Sequence, residues 1–445
     1  MPRSAGPVTI AVLVVVYTSS WLVVGPADGE TWVSHLGQLA GADAVLLMSI
    51  GLVLISTLPW VEHWFDGIDR TAIWHRRLAI VGLLLLLPHV LYASGSGSST
   101  WGPTLAVVGL VGLIALVVWA VLPRWRSVLP SSLQRPVWAL LTTRPMALVG
   151  RLIHRTAGGY ERWRMLHRTT GVFLAFGFAH GLLDGTAFDG EPLLRWPYTV
   201  VGGIGLAFYV YRELLARRFS ALHDYQVADV REIAPGLTEI TMVPLGRHLS
   251  FKPGQFAMFS IEAKDGWHRH PFTIASAPSE SAIRITVKAL GDWTGGIHEL
   301  LRPGMPAVLG GPHGRFNHQK GGARQVWIAG GVGVTPFLSW LRGLPEHPVR
   351  GKVDFFYASS ESPIPYAEEI ARITADHPLV RSHVVDTTVS GRLTGASVLA
   401  EIDEPASELS VFLCGPESMV SALSSQLRGA GVPSRRIHRE YFDWR

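Results

Sequence analysis

Cysteine is almost absent: Cys414 is the only one in 445 residues. One thiol excludes internal disulfides, thiolate-held iron–sulfur clusters and a covalent C-x-x-C-H haem attachment. Lysine is nearly as rare, with 5 residues among the 39 basic ones. Charged residues make up only 16% of the chain, and the net charge is +5. That charge is mostly arginine clustered beside apolar segments, which fits membrane topology better than a nucleic-acid partner. Internal repeats, low-complexity tails, catalytic triads and metal-hydrolase strings are missing as well.

What the chain has is apolar length. Hydrophobic residues are 48% of the total, concentrated in the first half. Six runs are near the length that spans a bilayer: Pro7–Gly25, Ala42–Trp60, Trp74–Ser94, Pro103–Pro123, Leu166–Gly185 and Pro197–Leu214. The first also has the length of a signal peptide. Segments Gly25–Gly41, Gly95–Gly102 and Asp184–Trp196 are acidic or nearly uncharged. Val61–Arg77, the loop Arg124–Arg164 and the stretch after the sixth run (Arg212, Arg217, Arg218) are basic. This alternation predicts a multi-pass protein of the cell membrane with both termini cytoplasmic.

The third and fifth runs each carry two histidines, His75 and His89 in one, His167 and His180 in the other. Their separations of 14 and 13 residues span roughly 20 Å at about 1.5 Å per residue. One pair would then lie near each face of the membrane. Ionisable side chains are costly in lipid and need a partner, and neutral imidazole is a common metal ligand. Haem iron with axial histidines suits such pairs, and with one cysteine the haem must be non-covalent, b-type. Hydrogen-bonded packing histidines are the alternative. The rotation is mixed: at about 100° per residue, 14 residues return to within about 40° of the starting face, whereas 13 land about 140° away. The second helix needs an irregularity, which Gly171 and Gly177 would permit.

From about Ala221 the texture changes to short alternating strands, Tyr225–Val230, Leu237–Val243, Gln255–Ile261 and Ile283–Lys288, which predict a small antiparallel barrel. From Arg324, buried strands Val326–Ala329, Val353–Tyr357 and Val411–Cys414 alternate with helical stretches, as in a parallel α/β nucleotide-binding fold. The expected organisation is multidomain: an all-α six-helix transmembrane haem domain (1–220), an antiparallel β-barrel domain (221–320), and an α/β parallel-sheet nucleotide-binding domain (321–445).

Four motifs stand in the soluble half. Arg269-His270-Pro271-Phe272-Thr273, followed by Ser276 and Pro278, comes after the strand of Pro253-Gly254-Gln255-Phe256. Leu290-Gly291-Asp292-Trp293-Thr294 and Gly311-Pro312-His313-Gly314-Arg315-Phe316 follow. Ala329-Gly330-Gly331-Val332-Gly333-Val334-Thr335-Pro336 then runs from strand to helix. Its glycines allow close approach of a pyrophosphate, with Thr335 as the expected N-cap and Pro336 in the first turn. Cys414-Gly415-Pro416 closes a later strand.

With these motifs and the paired histidines, the chain resembles the ferredoxin-reductase type of flavoprotein, particularly the membrane branch of ferric reductases and NADPH oxidases. The resemblance covers nearly the whole chain. It implies that His270, Pro271, Phe272, Thr273 and Ser276 lie along FAD, with Gly291, Trp293 and Thr294 at its pyrophosphate. It implies that Gly330, Gly331, Gly333, Val334, Thr335 and Pro336 bind the nicotinamide nucleotide, with Cys414, Gly415 and Pro416 near its reactive ring. A C-terminal aromatic, Phe442 or else Trp444, would cover the flavin. In the membrane half it implies bis-His ligation of two b-type haems, His75 with His167 and His89 with His180. Phe173 would lie between the haems, and Arg76, Arg77 and Arg168 would stand near propionates.

The function so implied is electron transfer from cytoplasmic NADPH or NADH through FAD and two haems to an acceptor outside. That acceptor is oxygen, as in a superoxide-producing oxidase, or ferric chelate, as in a reductase. Ala93 stands where oxidases of this family carry a basic residue, and Ala42–Ile50 offers only Asp43. His35, in the expected outer loop, is a candidate for the acceptor site. Ser359-Ser360-Glu361 lacks an arginine fork for a 2′-phosphate, although Arg392 offers a charge from elsewhere. The partners expected are the lipid bilayer, NAD(P)H and the acceptor, with no obligatory protein partner. The alternative is a haem-free, membrane-anchored NAD(P)H:flavin reductase serving a separate membrane redox partner.

Overall fold

The computed structural model describes residues 5–56, 58–65, 67–93, 99–121, 165–215, 222–263, 266–291 and 293–440. They belong to two compact units, Met1–Arg218 and Phe219–Arg445. The basic loop Arg124–Arg164, Phe442 and Trp444 lie outside the described residues.

The first unit is helical: α1 (Ala5–Val24), α2 (Trp32–Leu54), α3 (Pro59–Phe65), α4 (Ile68–Tyr92), α5 (Gly102–Val121), α6 (Thr170–Asp184) and α7 (Pro192–Val210), the last continuing into a π-helical turn, Tyr211–Leu215. Among the described residues, five stretches are long and apolar enough to cross a membrane: Ala5–Val24, Trp32–Leu54, Arg70–Tyr92, Gly102–Trp119 and Pro192–Leu215. At 15 residues, α6 is shorter. Burial makes α2 the hub, because 78% of its apolar window is buried against 17–22% in the other four. Glycine lets its neighbours close in. A Cβ at Gly205 of α7 would stand 2.6 Å from Ser49 Cβ, and one at Gly82 of α4 2.8 Å from Met48.

Two expectations need correction. The second helix starts at Trp32, not near Ala42, because its first turns are capped and paired rather than apolar. Thr31 Oγ1 accepts the Ser34 N–H at 3.2 Å. Ser34 and Gln38 both donate to Glu30, at 2.8 and 2.6 Å. His35 is therefore not a loop residue; it is buried on α2 and its Nε2 donates to the Trp21 carbonyl at 3.0 Å.

The irregularity needed by the fifth run exists, but not at a glycine. Residues 165–168 form a helical turn that breaks at Thr169, and α6 begins at Thr170. There Thr169 Oγ1 donates to the Leu166 carbonyl at 2.7 Å, and Thr170 Oγ1 to the His167 carbonyl at 2.6 Å. Side-chain hydroxyls thus occupy carbonyls that regular helix N–H groups would take. Val172 N–H falls back to Thr169 O, a tighter i to i+3 bond. His167 stands before this break and His180 after it.

The second unit has two sheets. Strands β1 (Leu222–Ala234), β2 (Leu237–Pro244), β3 (Phe256–Ala263), β4 (Gly266–Thr273), β5 (Ile283–Lys288) and β6 (Pro306–His313) form one antiparallel sheet, ordered β4-β3-β6-β1-β2-β5. Inward residues such as Tyr225, Ile240, Phe259, Ile285 and Leu309 meet in one core. A short helix, α8 (Ile297–Leu300), lies between β5 and β6.

The other sheet is parallel, ordered β11-β10-β7-β8-β9, from β7 (Gln325–Gly330), β8 (Val353–Ser359), β9 (Val380–Asp386), β10 (Ser410–Cys414) and β11 (Ile437–Glu440). Its helices are α9 (Thr335–Arg342), α10 (Ala367–Ala375), α11 (Gly395–Leu399) and α12 (Glu417–Gly429). Every residue of β7, β8 and β10 is buried, the burial expected of a sheet covered on both faces.

Candidate functional site

In the helical unit the four histidines meet in two pairs. The rings of His75 and His167 have centroids 6.3 Å apart at 80°, and those of His89 and His180 are 6.2 Å apart at 61°. Backbone carbonyls orient three of them. His75 Nδ1 donates to Gly51 O at 3.0 Å, His89 Nδ1 to Gly37 O at 3.0 Å, and His180 Nδ1 to Gly102 O at 3.1 Å. A carbonyl only accepts, so Nδ1 carries the hydrogen and Nε2 keeps its lone pair.

Glycine makes these approaches possible. A Cβ at Gly41 would stand 2.5 Å from His89 Nδ1, and one at Gly51 3.2 Å from His75 Nδ1. By contrast, a Cβ at Gly177, one turn before His180, would meet nothing within 4 Å. Phe173 packs into α5, where a Cβ at Gly112 would come within 2.0 Å of its ring. Arg168 pairs with Glu213, and Arg77 lies over the Trp74 ring at 5.3 Å. Among the described residues, no three His, Cys, Asp or Glu side chains gather as a self-contained metal site.

In the antiparallel sheet, the H-P-F-T string ends β4. His270 stacks on Trp293, with centroids 4.5 Å apart and planes at 17°, and Phe272 lies against the same indole at 6.3 Å. Pro271 pairs with Met258 across the β3–β4 ladder, and Thr273 is buried opposite Phe256. Ser276 is fully buried. Its Oγ accepts the Arg284 N–H at 3.2 Å, and its carbonyl accepts Ser339 Oγ at 2.8 Å. The turn at Gly291 is held by Thr294, whose Oγ1 accepts the Leu290 and Gly291 N–H groups at 3.1 and 3.0 Å. A 3-10 turn, Thr294–Gly296, and the four-residue α8 follow it.

The parallel sheet brings the remaining motifs together at the C-terminal ends of its strands, where open α/β sheets bind ligands. Ala329 pairs with Cys414 in the β7–β10 ladder. After β7 a 3-10 turn, Gly331–Val334, precedes the helix, so the N-cap is Val334 and not Thr335. Gly331 has φ +53°, a left-handed start that glycine adopts without strain. Thr335 Oγ1 donates back to Val332 O at 3.1 Å, and Pro336 follows in the first turn. A Cβ at Gly333 would lie 2.4 Å from Cys414 O, and one at Gly330 2.5 Å from Met419 Sδ. Gly415 has φ +156°, and Pro416 caps α12. Burial, with Glu440 beside it, pushes the Cys414 thiol well above its ordinary range.

A polar staple joins the two sheets. Tyr366 Oη accepts from Thr286 Oγ1 at 2.6 Å and donates to Glu239 Oε2 at 2.9 Å. Arg342 Nη1 donates to Ala275 O at 2.7 Å. Trp340 Nε1 donates to Pro253 O at 3.2 Å, and Phe316 stacks on Trp340 at 4.8 Å. Neither this staple nor the glycine carbonyls that orient the histidines are evident from motifs. The available signal for the latter was glycine recurring inside an apolar helix, at Gly37, Gly41 and Gly51.

Comparison with known proteins covers the same region. An FAD-binding domain family matches residues 223–334, and an oxidoreductase NAD-binding domain family matches 327–425. The flavohemoprotein of Deinococcus radiodurans is 26% identical over 228 residues, 46% of this chain and 55% of that protein. The glycine betaine monooxygenase reductase subunit of Chromohalobacter salexigens is 31% identical over 206 residues, 43% of this chain and 56% of that protein. The crystal structure of the flavohem-like FAD/NAD binding domain of nitric oxide dioxygenase from Vibrio cholerae covers 49% of this chain and 98% of its own, at 24% identity and TM-score 0.44. The chain thus spans a little over half the length of these two curated relatives. Residues 223–425 thus match an FAD-binding and an oxidoreductase NAD-binding domain in succession, a ferredoxin-reductase-type FAD- and NAD(P)H-binding unit.

Proposed function

We propose that this protein is a membrane-spanning NAD(P)H oxidoreductase that carries electrons from its flavin unit through two b-type haems to a one-electron acceptor across the bilayer. The observation that carries this reading is the separation of the paired imidazoles. An iron about 2 Å from each of two nitrogens, with about 1 Å more from nitrogen to ring centre, sets the centroids about 6 Å apart. The two pairs stand at 6.3 and 6.2 Å. Three of the four rings direct Nδ1–H to a backbone carbonyl, which leaves the Nε2 lone pair free for iron. The open space over Gly177 supports a flat group on that side of α6.

When bound, FAD takes an electron pair from NAD(P)H and haem iron carries electrons singly. The chain's own residues supply position. The stacked His270, Phe272 and Trp293 offer a planar aromatic wall beside β4. The Gly331–Val334 turn offers backbone amides for a pyrophosphate. Its packing on Cys414-Gly415 is the basis for placing the nicotinamide there. The domains proposed are 1–220, 221–320 and 321–445, with the flavin and nucleotide domains and both termini cytoplasmic. The acceptor is oxygen or a ferric chelate.

Pyridine haemochrome analysis of the purified full chain tests the reading. Two b-type haems per polypeptide are expected, and fewer than two would sink it. A second reading draws on the reductase-subunit relative: a haem-free anchored reductase passing electrons to a separate membrane partner. It predicts no haem and normal NAD(P)H-dependent flavin reduction.

A further inference from the structure

Asp184 is placed where an acid is costly. It is the last residue of α6, at the negative end of the helix dipole, and its side chain is 6% exposed. Its Oδ2 stands 3.8 Å from His180 Nδ1, while its Oδ1 is buried with no hydrogen-bond partner among the described residues. The carboxylate reaches this place because residue 102 is glycine: a Cβ there would lie 2.5 Å from Asp184 Cγ. The Gly102 carbonyl is also the one that His180 Nδ1 donates to.

Capping of α5 does not account for the acid. Ser99 Oγ already accepts the Trp101 and Gly102 N–H groups, at 3.2 and 3.3 Å, and Leu105 N–H goes to Trp101 O. What faces the carboxylate is the imidazole. His75 and His89 differ: each has its glycine carbonyl, with no carboxylate within 4 Å among the described residues.

We propose that Asp184 is a positioning residue that lowers the redox potential of the His89–His180 centre. The Nδ1–H itself is taken by the Gly102 carbonyl, so the carboxylate 3.8 Å away acts through its charge: in a dry setting a negative charge beside the ring favours the oxidised metal held at Nε2. The consequence is directional, since a lower potential at this centre favours passing the electron onward to the acceptor. The inference rests on the two-haem reading above.

The test is spectroelectrochemical titration of the full chain and of Asp184→Asn, with haem counted by pyridine haemochrome. The His89→Ala spectrum identifies which midpoint belongs to the His75–His167 centre. The expected result is two haems in Asp184→Asn, a more positive midpoint for the His89–His180 centre and an unchanged one for the other, with Asp184→Glu returning the midpoint toward wild type. Two haems with both midpoints unchanged would overturn the inference. If Asp184→Asn loses a haem, Asp184→Ser is read in the same way, and loss from both variants overturns it in favour of a structural role. Fewer than two haems in the wild-type chain is a separate outcome, which removes the underlying reading instead.

Discussion

Arg342 grips Glu369 with both arms of its guanidinium, Nε to Oε1 and Nη2 to Oε2, each at 2.8 Å. The arginine is 5% exposed and also stands 3.9 Å from buried Glu239. Burial alone would lower its pKa, but the Glu369 bonds, with Glu239 and Tyr366 nearby, hold it above its ordinary value. Removing the guanidinium would strand Glu369 in the joint between the sheets, while Glu239 keeps Tyr366 and Arg231. Arg342→Leu is expected to cost about 3–5 kcal/mol, the loss typical of a broken buried pair. Arg342→Lys rescues little, because an ammonium cannot form the fork. The check is the temperature at which the full-length protein releases FAD.

His318 predicts a pH dependence. Burial pushes its imidazole down to about 4, with His347 and Arg350 adding to the effect, and it packs between Trp327 and Trp340 at 5.6 and 5.4 Å. The unfolded chain binds its proton near pH 6.5 and the folded chain only near 4, so protonation favours unfolding. Its stabilisation is whole above pH 6.5 and falls by roughly 3 kcal/mol as pH drops to about 4. His318→Leu should flatten the stability profile across that window. An unchanged slope would refute the assignment.

Asp354 governs a more acidic window. Burial raises its carboxyl, but hydrogen bonds from His383, Arg381 and Arg324 reverse this and hold it well below the usual range. Its contribution is therefore present above about pH 4 and lost only below that. Asp354→Asn should steepen nothing between pH 4 and 6.5 and should remove acid sensitivity below it. FAD-release midpoints across both windows separate the two residues.

Gly41 and Gly51 should not tolerate alanine equally. A Cβ at Gly41 would stand 2.5 Å from His89 Nδ1, whereas at Gly51 the nearest atom is His75 Nδ1 at 3.2 Å. On the two-haem reading proposed above, Gly41→Ala is expected to displace the imidazole and lower haem content to one per chain. Gly51→Ala needs a shift of only a few tenths of an ångström and should retain both haems. Equal haem content in the two variants would contradict this ranking.

At the nucleotide turn, Gly333→Ala would drive a methyl to 2.4 Å from the Cys414 carbonyl, a backbone atom that cannot swing away. Gly331 has φ +53° but open space around it. Gly331→Asn should therefore keep most nucleotide affinity, since asparagine tolerates the left-handed region. Gly333→Ala should weaken it by roughly tenfold or more, about 1.4 kcal/mol. Titration of the flavin spectrum with NAD(P)+ distinguishes them, with FAD content as the control.

Much of the second unit was legible because its signals are local. Strand alternation from Tyr225 onward and the strand–glycine–helix string ending in Thr335-Pro336 express backbone needs within a few residues. The helix is capped at Val334 and not at Thr335 because a 3-10 turn begins at Gly331, packed against Cys414 and Gly415. Hydropathy locates the apolar segments but not the start of α2, since Ser34 and Gln38 bond Glu30 and His35 bonds the Trp21 carbonyl.

The sequence by itself determined the apolar character of the first half, the run of flavin- and nucleotide-type motifs from Arg269 to Pro416, and two histidine pairs spaced 14 and 13 residues apart. Only the tertiary structure decided how those histidines face one another. The 13-residue spacing is wrong for a regular helix, and a break at Thr169, held by two threonine hydroxyls, separates His167 from His180. The Gly37, Gly51 and Gly102 carbonyls and the Asp184 carboxylate reach the rings from residues as many as 78 positions away. Such partners depend on which helices touch, and no local pattern encodes that.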